Sequence, residues 1–357
     1  MATRASRKPA PRRNQAGPRA RWLTQEGRRL LVIENARFRV AMWPELGGAI
    51  TSYIHKPTGL DVIWRKAPAQ KPRRSVLGQP WSEGSDLFDV MDGSWYVSLP
   101  NGFFRTDYFG APLGTHGELR SVPWSVESIR RTASTLRVVL VGMSVRTPLV
   151  YRRELTVRAG SAQLHWKETL GNRSSAPLPV AWLHHPAFSG PLLVGARLVA
   201  PVRTVSVNPT NHPASLQLKA GYRGRWPHVP ERKGKKRRDC SAAPVAGSGT
   251  DHSVQLQDFS SGRGCLWNER LKLGFAIQWD LAMFPCAWSW AHAGGGVPRY
   301  PMWGEGHLMT LQPSTSPPRP FKELLRRGEL RLVPARGSVS TEMRTGFVDH
   351  PEGPWAD

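Results

Sequence analysis

The stretch VYRRELTVRAGSAQLHWKETL, Val150 to Leu170, holds two extended segments, 150–157 and 162–170, joined at Ala159-Gly160. A glycine between two runs of this kind is a hairpin signal, because glycine adopts at little cost the backbone angles that tight turns require. Working outward, Leu136, Val138 and Leu140 alternate before a break near Pro148. On the other side, Gly171-Asn172-Arg173-Ser174-Ser175 interrupts the chain and an extended run resumes over 179–184. Further on, 264–267 and 271–279 flank Asn268-Glu269-Arg270, and Leu273, Phe275, Ile277 and Trp279 share one face of the second segment. Only one stretch reads as a helix. Pro320 suits its first turn, Phe321, Leu324 and Leu325 fall at i, i+3 and i+4, and Gly328 ends it. Hairpin-linked strands without intervening helices predict an all-β fold, a large antiparallel β-sandwich.

Composition sets the bounds. The chain has 357 residues, 39% of them hydrophobic, enough for a sizeable core, and its 34 glycines and 32 prolines imply many turns. No apolar run approaches the ~20 residues of a membrane-spanning helix, so no membrane partner is expected. Cys240, Cys265 and Cys286 have neither metal-ligand nor redox spacing and read as buried or incidental thiols. The net charge of +24 is concentrated. Residues 1–21 carry seven basic side chains and no acid, and 223–239 carry eight against two acids. Without these two stretches the chain is left with +11. Residues 1–28 are therefore expected to be a disordered basic tail, and about 222–249 a basic loop inserted in a domain spanning 29–350. A nucleic-acid contact through tail and loop is the lesser reading, since no aromatic residue is interleaved in 233–238. The N-terminus lacks the apolar run of a secretory signal, so a cytoplasmic protein is expected.

Four motifs add specificity. The first is Phe38-Arg-Val-Ala-Met-Trp-Pro-Glu-Leu-Gly-Gly-Ala-Ile-Thr-Ser-Tyr53, followed by Thr58-Gly-Leu-Asp-Val-Ile-Trp64. The second runs from Gly93-Ser-Trp-Tyr-Val-Ser-Leu-Pro-Asn101 through Arg105 to Thr115-His-Gly-Glu-Leu-Arg120. The third is Trp182-Leu-His-His-Pro-Ala-Phe188, and the fourth Leu308-Met-Thr-Leu-Gln-Pro-Ser-Thr-Ser-Pro-Pro318. In this order, spanning residues 30 to about 347, the set resembles the aldose 1-epimerase family and its galactose mutarotase-like relatives. The resemblance implies a supersandwich fold, a monosaccharide or sugar derivative as ligand, no cofactor, and interconversion of sugar anomers. In that chemistry a base takes the anomeric hydroxyl proton while an acid protonates the ring oxygen, so the two groups come from different strands of one cleft.

By the same resemblance His185 matches the acid, and His116, Arg105 and Asp251 match groups that hold the sugar. His184 should face away from His185, because neighbouring residues on a strand point to opposite faces. At the position of the base stands Gln312, whose amide cannot accept the proton. Glu305 would replace it only if a bulge turned it to the same face. Trp95, Trp288, Trp290 and Trp303 are candidates to stack on a sugar ring, Trp288 first. Adjacent histidines with no third ligand at telling spacing do not suggest a metal. The sequence thus predicts an aldose 1-epimerase-like isomerase with its activity compromised at Gln312, or a carbohydrate-binding or sensing protein that has lost the base.

Overall fold

The computed structural model describes residues 17–66, 93–209, 217–295 and 302–352. Three antiparallel sheets of five, eight and nine strands dominate. The five-stranded sheet is a meander that starts at Arg19–Gln25 and ends at Leu60–Asp61. The eight-stranded sheet holds the hairpin predicted around Ala159-Gly160: Leu149–Arg158 pairs with Gln163–Asn172, and Gly160 turns the chain at φ +75°. Seven strands of the nine-stranded sheet run, in spatial order, Arg223–Arg225, Val202–Ser206, Thr250–Phe259, Cys286–Ala293, Gln312–Ser314, Leu183–His185 and Tyr96–Ser98. Off this path Ala187–Phe188 pairs with His307–Thr310, which also pairs with Cys286–Ala293.

Period two decides which residues meet. From the eight-stranded sheet Leu155, Val157, Leu164, Trp166, Phe275 and Ile277 point into one continuous core. From the nine-stranded sheet Leu256, Ala287 and Ala291 point to meet them, joined by Trp182 just before the strand Leu183–His185. Burial of this apolar surface, at about 25 cal/mol per Å², is the main stabilising term. The predicted helix is present as Phe321–Arg327, with Gly328 closing it at φ +67° and Phe321 and Leu324 buried. Cys240, Cys265 and Cys286 are buried and unpaired. No helix among the described residues is long and apolar enough to cross a membrane.

Two segments set aside as polar and unordered are structured. Arg19–Gln25, assigned to the tail, is a strand paired along its length with Arg28–Glu34. Glu34 fixes it there: the carboxylate is 1% exposed and meets Arg19 at 2.8 Å and Arg39 at 3.0 Å. The assigned tail residues 1–16 lie outside the described residues. The inserted loop is also folded, as strands Arg223–Arg225, His228–Pro230 and Arg237–Asp239. Val229 and Cys240, fully or almost fully buried in the main core, anchor it. Tyr222, Trp226 and Ala243, partly buried, pack against the same core. A few apolar residues among many charges order the segment, and composition averages them away.

Candidate functional site

Strand registers bring distant motifs into one row on the face of the nine-stranded sheet that points away from the core. Leu183 pairs with Ser314 and Ala187 with Thr310, so the unbroken register sets His185 opposite Gln312. His185 also pairs with Tyr96, and Gln312 with Trp288. The row therefore reads Tyr96, His185, Gln312, Trp288, with neighbours ~4.8 Å apart in the hydrogen-bonding direction. The segment between the second motif's two halves then folds over it. Asn101 pins that segment by donating to the carbonyls of Phe104 (2.6 Å) and Gly114 (3.0 Å). Gly117, at φ +72°, packs so closely on Leu99 that a Cβ would sit 1.9 Å from its carbonyl oxygen. His116 beside it is also left-handed, at φ +65°, a strained backbone of the kind that clusters at functional sites.

The result is an aromatic cage around two neutral polar groups. The His116 ring meets His185 edge-on at 4.9 Å, and Tyr96 stacks on His185 at 4.7 Å. Phe103 touches His116 edge-on at 4.8 Å and lies over Trp288 at 5.0 Å. His185, Gln312, His116, Tyr96 and Trp288 are all 5% exposed or less. Burial pushes the His185 imidazole down to about 3, so it is neutral at physiological pH. Gln312 donates from Nε2 to the Thr310 hydroxyl at 2.7 Å. At the centre of the row, Gln312 Oε1 and His185 Nδ1 are buried and have no hydrogen-bond partner among the described residues. Beside Trp288, a cavity of about 10 Å³ is lined by Phe103, Leu183 and Ser314 among others.

His185, Gln312, His116 and Trp288 thus lie together. Arg105 follows Phe103 and Phe104 in the same covering segment and is exposed. Asp251 does not join the row. It pairs with His292, four residues along the strand from Trp288 and so ~13 Å away. Its carboxylate accepts from Trp290 Nε1 at 2.8 Å and lies 3.5 Å from His292 Nδ1. Trp95 is a core residue stacked on Trp166, not a sugar platform. Glu305 does not replace Gln312, because the strands carrying Gln312 and His307 keep one register against Cys286–Ala293 and no bulge intervenes.

His184 points the other way, as period two requires, into a charged network between the sheets. Its Nε2 lies 2.8 Å from Glu168, whose other oxygen accepts from Arg153 at 2.8 Å. Trp124 and Trp166 flank the guanidinium at 4.8 and 4.9 Å. Burial alone would raise the Glu168 carboxyl, but His184 and Arg153 hold it at about 2. Sequence reading missed this network, as it missed Tyr96 and Phe103. Tyr96 was within reach of it, since Tyr96 and Ser98 alternate with the core residues Trp95 and Val97.

The fold has known counterparts. A candidate aldose 1-epimerase from Klebsiella pneumoniae subsp. pneumoniae MGH 78578 superimposes with a TM-score of 0.70 at 17% identity, covering 92% of this chain and 81% of that one. A galactose mutarotase-like protein from Clostridium acetobutylicum gives 0.61 at 10% identity, covering 95% and 100%. Another, from Lactobacillus casei ATCC 334, gives 0.55 at 15% identity, covering 89% and 100%. At such identities the likeness is one of fold: the chain is a galactose mutarotase-like sandwich. No curated protein matches it by sequence. Residues 25–346 match the family model described as a domain of unknown function, DUF4432, and the chain belongs to that family.

Proposed function

We propose that the row formed by His185 and Gln312, with His116 beside it, binds a monosaccharide and does not appreciably accelerate the interconversion of its anomers. The observation that carries this reading is the pair of buried, unpartnered polar atoms, Gln312 Oε1 and His185 Nδ1. Leaving such atoms unpaired costs about 1–3 kcal/mol each, a cost that a ligand rich in hydroxyl groups relieves. A sugar hydroxyl can donate to the Gln312 oxygen, and another can exchange a hydrogen bond with His185. Tyr96, Phe103 and Trp288 offer the apolar surface that suits the C–H faces of a pyranose.

The same two positions govern the chemistry. Ring opening needs one group to take a proton and another to give one, each with a pKa near the working pH. An amide takes no proton, and a histidine held at about 3 carries none to give. Binding without catalysis is the outcome the residues favour. A pyranose far exceeds the cavity of about 10 Å³ beside Trp288, so on that side entry requires Phe103 to leave its stack. The test is line-broadening NMR of a panel of aldoses with the natural protein, His185→Ala and Gln312→Ala. Each substitution is expected to weaken binding by about 1–3 kcal/mol. Unchanged binding by both folded variants would show that the sugar site lies elsewhere.

A further inference from the structure

The inserted basic segment is an ordered projection at the edge of the nine-stranded sheet. His228–Pro230 and Arg237–Asp239 pair as a hairpin, closed by the Glu231 N–H donating to Lys236 O at 3.0 Å and by the Arg238–Glu231 ion pair at 2.8 Å. Its base is tied down by Val229 and Cys240 in the core and by Arg232 N–H donating to Gln217 O at 2.9 Å. The tip carries Arg232, Lys233, Lys235 and Lys236, all exposed. Through Trp226-Pro227 the hairpin continues from the edge strand Arg223–Arg225. Along that strand runs a surface cleft of about 630 Å³ lined by Arg203, Thr204, Arg223, Gly224 and Arg225. Of these arginines, only Arg223 has an acid beside it among the described residues, Asp258 at 3.6 Å. No acid among the described residues pairs with Arg203, Arg225 or the four cations of the tip.

We propose that this hairpin and the arginine cleft beside it bind the phosphate backbone of duplex nucleic acid. A fixed array of unneutralised cations gains by releasing counterions from a polyphosphate, and an ordered array loses little entropy in doing so. Two features choose the partner. Among the described residues between 201 and 243 no large apolar side chain is exposed, and Tyr222 and Trp226 are half-buried. The exposed part of the surface is therefore cationic, with no exposed wedge for a lipid bilayer. Its aromatic rings are half-buried, Trp226 against the core and Tyr222 against Arg237, rather than open platforms for single-stranded bases. What remains is backbone recognition without base readout, which suits a duplex. The surface is separate from the sugar site, so the two readings stand or fall independently.

The test is fluorescence anisotropy of a random-sequence DNA duplex with the full-length protein, from about 50 to about 200 mM salt. Lys233→Gln/Lys235→Gln/Lys236→Gln should lower affinity at least tenfold at low salt and make the slope of log K against log salt shallower by about 2–3. Arg203→Gln/Arg225→Gln, on the cleft rather than the tip, should lower affinity in the same direction. Neutralising the basic residues of 1–16 should leave most of the affinity. Affinity unchanged in both hairpin and cleft variants, or lost entirely on neutralising 1–16, would overturn the proposal. So would tighter binding to heparin or to phosphatidylserine vesicles than to the duplex.

Discussion

His184 and His185 are neighbours on one strand and equally hidden from solvent, yet their surroundings differ in kind. His184 faces a carboxylate that is itself held by a buried guanidinium. His185 faces aromatic rings and an amide, with no charge in its row. One side of the strand is a paired ionic network that ties the two sheets together. The other is a neutral pair with unmet hydrogen-bonding capacity. The contrast separates what holds the fold from what awaits a ligand, and it can be broken one side at a time.

The largest effect should come from the charged side. Glu168→Gln strips the buried Arg153 of its counterion, and breaking such a pair costs about 3–5 kcal/mol, read from urea unfolding. A loss below about 1 kcal/mol would mean that the network is ornamental. On the neutral side, Gln312→Glu supplies a carboxylate of nearly the same shape where the proton must go. A positioned base contributes ~10²–10⁴-fold, and a carboxylate next to His185 also draws the imidazole pKa upward so that it can give a proton. The anomer exchange rate should rise toward that range. If it does not, the row has diverged beyond one residue.

A smaller, pH-dependent effect distinguishes the two faces further. Burial holds His185 at about 3 and His252 at about 4, while each takes a proton near 6.5 once unfolded. Below about 6.5 the unfolded chain therefore binds more protons, and stability falls as pH falls toward those folded-state values. Glu168, held at about 2, loses its contribution only lower, as pH drops below about 4.5. His185→Gln should flatten the melting-temperature profile between about pH 6.5 and 4.5 and leave the steeper acid limb in place. An unchanged upper limb would show that His185 is not buried in its neutral form.

The sequence carried these features unequally. Alternation and turn glycines make the sandwich legible, and the helix declares itself through Phe321, Leu324 and Gly328. His116, His185 and Gln312 were legible as motif positions and Trp288 as a stacking candidate, but only strand register sets His185 opposite Gln312. Asp251 looked like part of the set because its motif is right, whereas its distance along the strand is a property of the sheet. Arg153 and Glu168 sit in inward slots otherwise filled by Tyr151, Leu155, Trp166 and Leu170. A charge in such a slot signals its partner only when the two strands are paired, which places Arg153 against Glu168. Phe103 was illegible because a segment pinned by Asn101, far from Trp288 in sequence, brings it there.

The most direct test of the central claim expects no catalytic effect at all. Anomer exchange of an aldose that the natural protein binds is measured by NMR with and without the protein, at concentrations where line broadening proves occupancy. The neutral row predicts broadened sugar resonances and an α–β exchange rate equal to that of buffer. Exchange accelerated by the natural protein and abolished in His185→Ala would contradict it, and would mean that His185 moves a proton in the bound state.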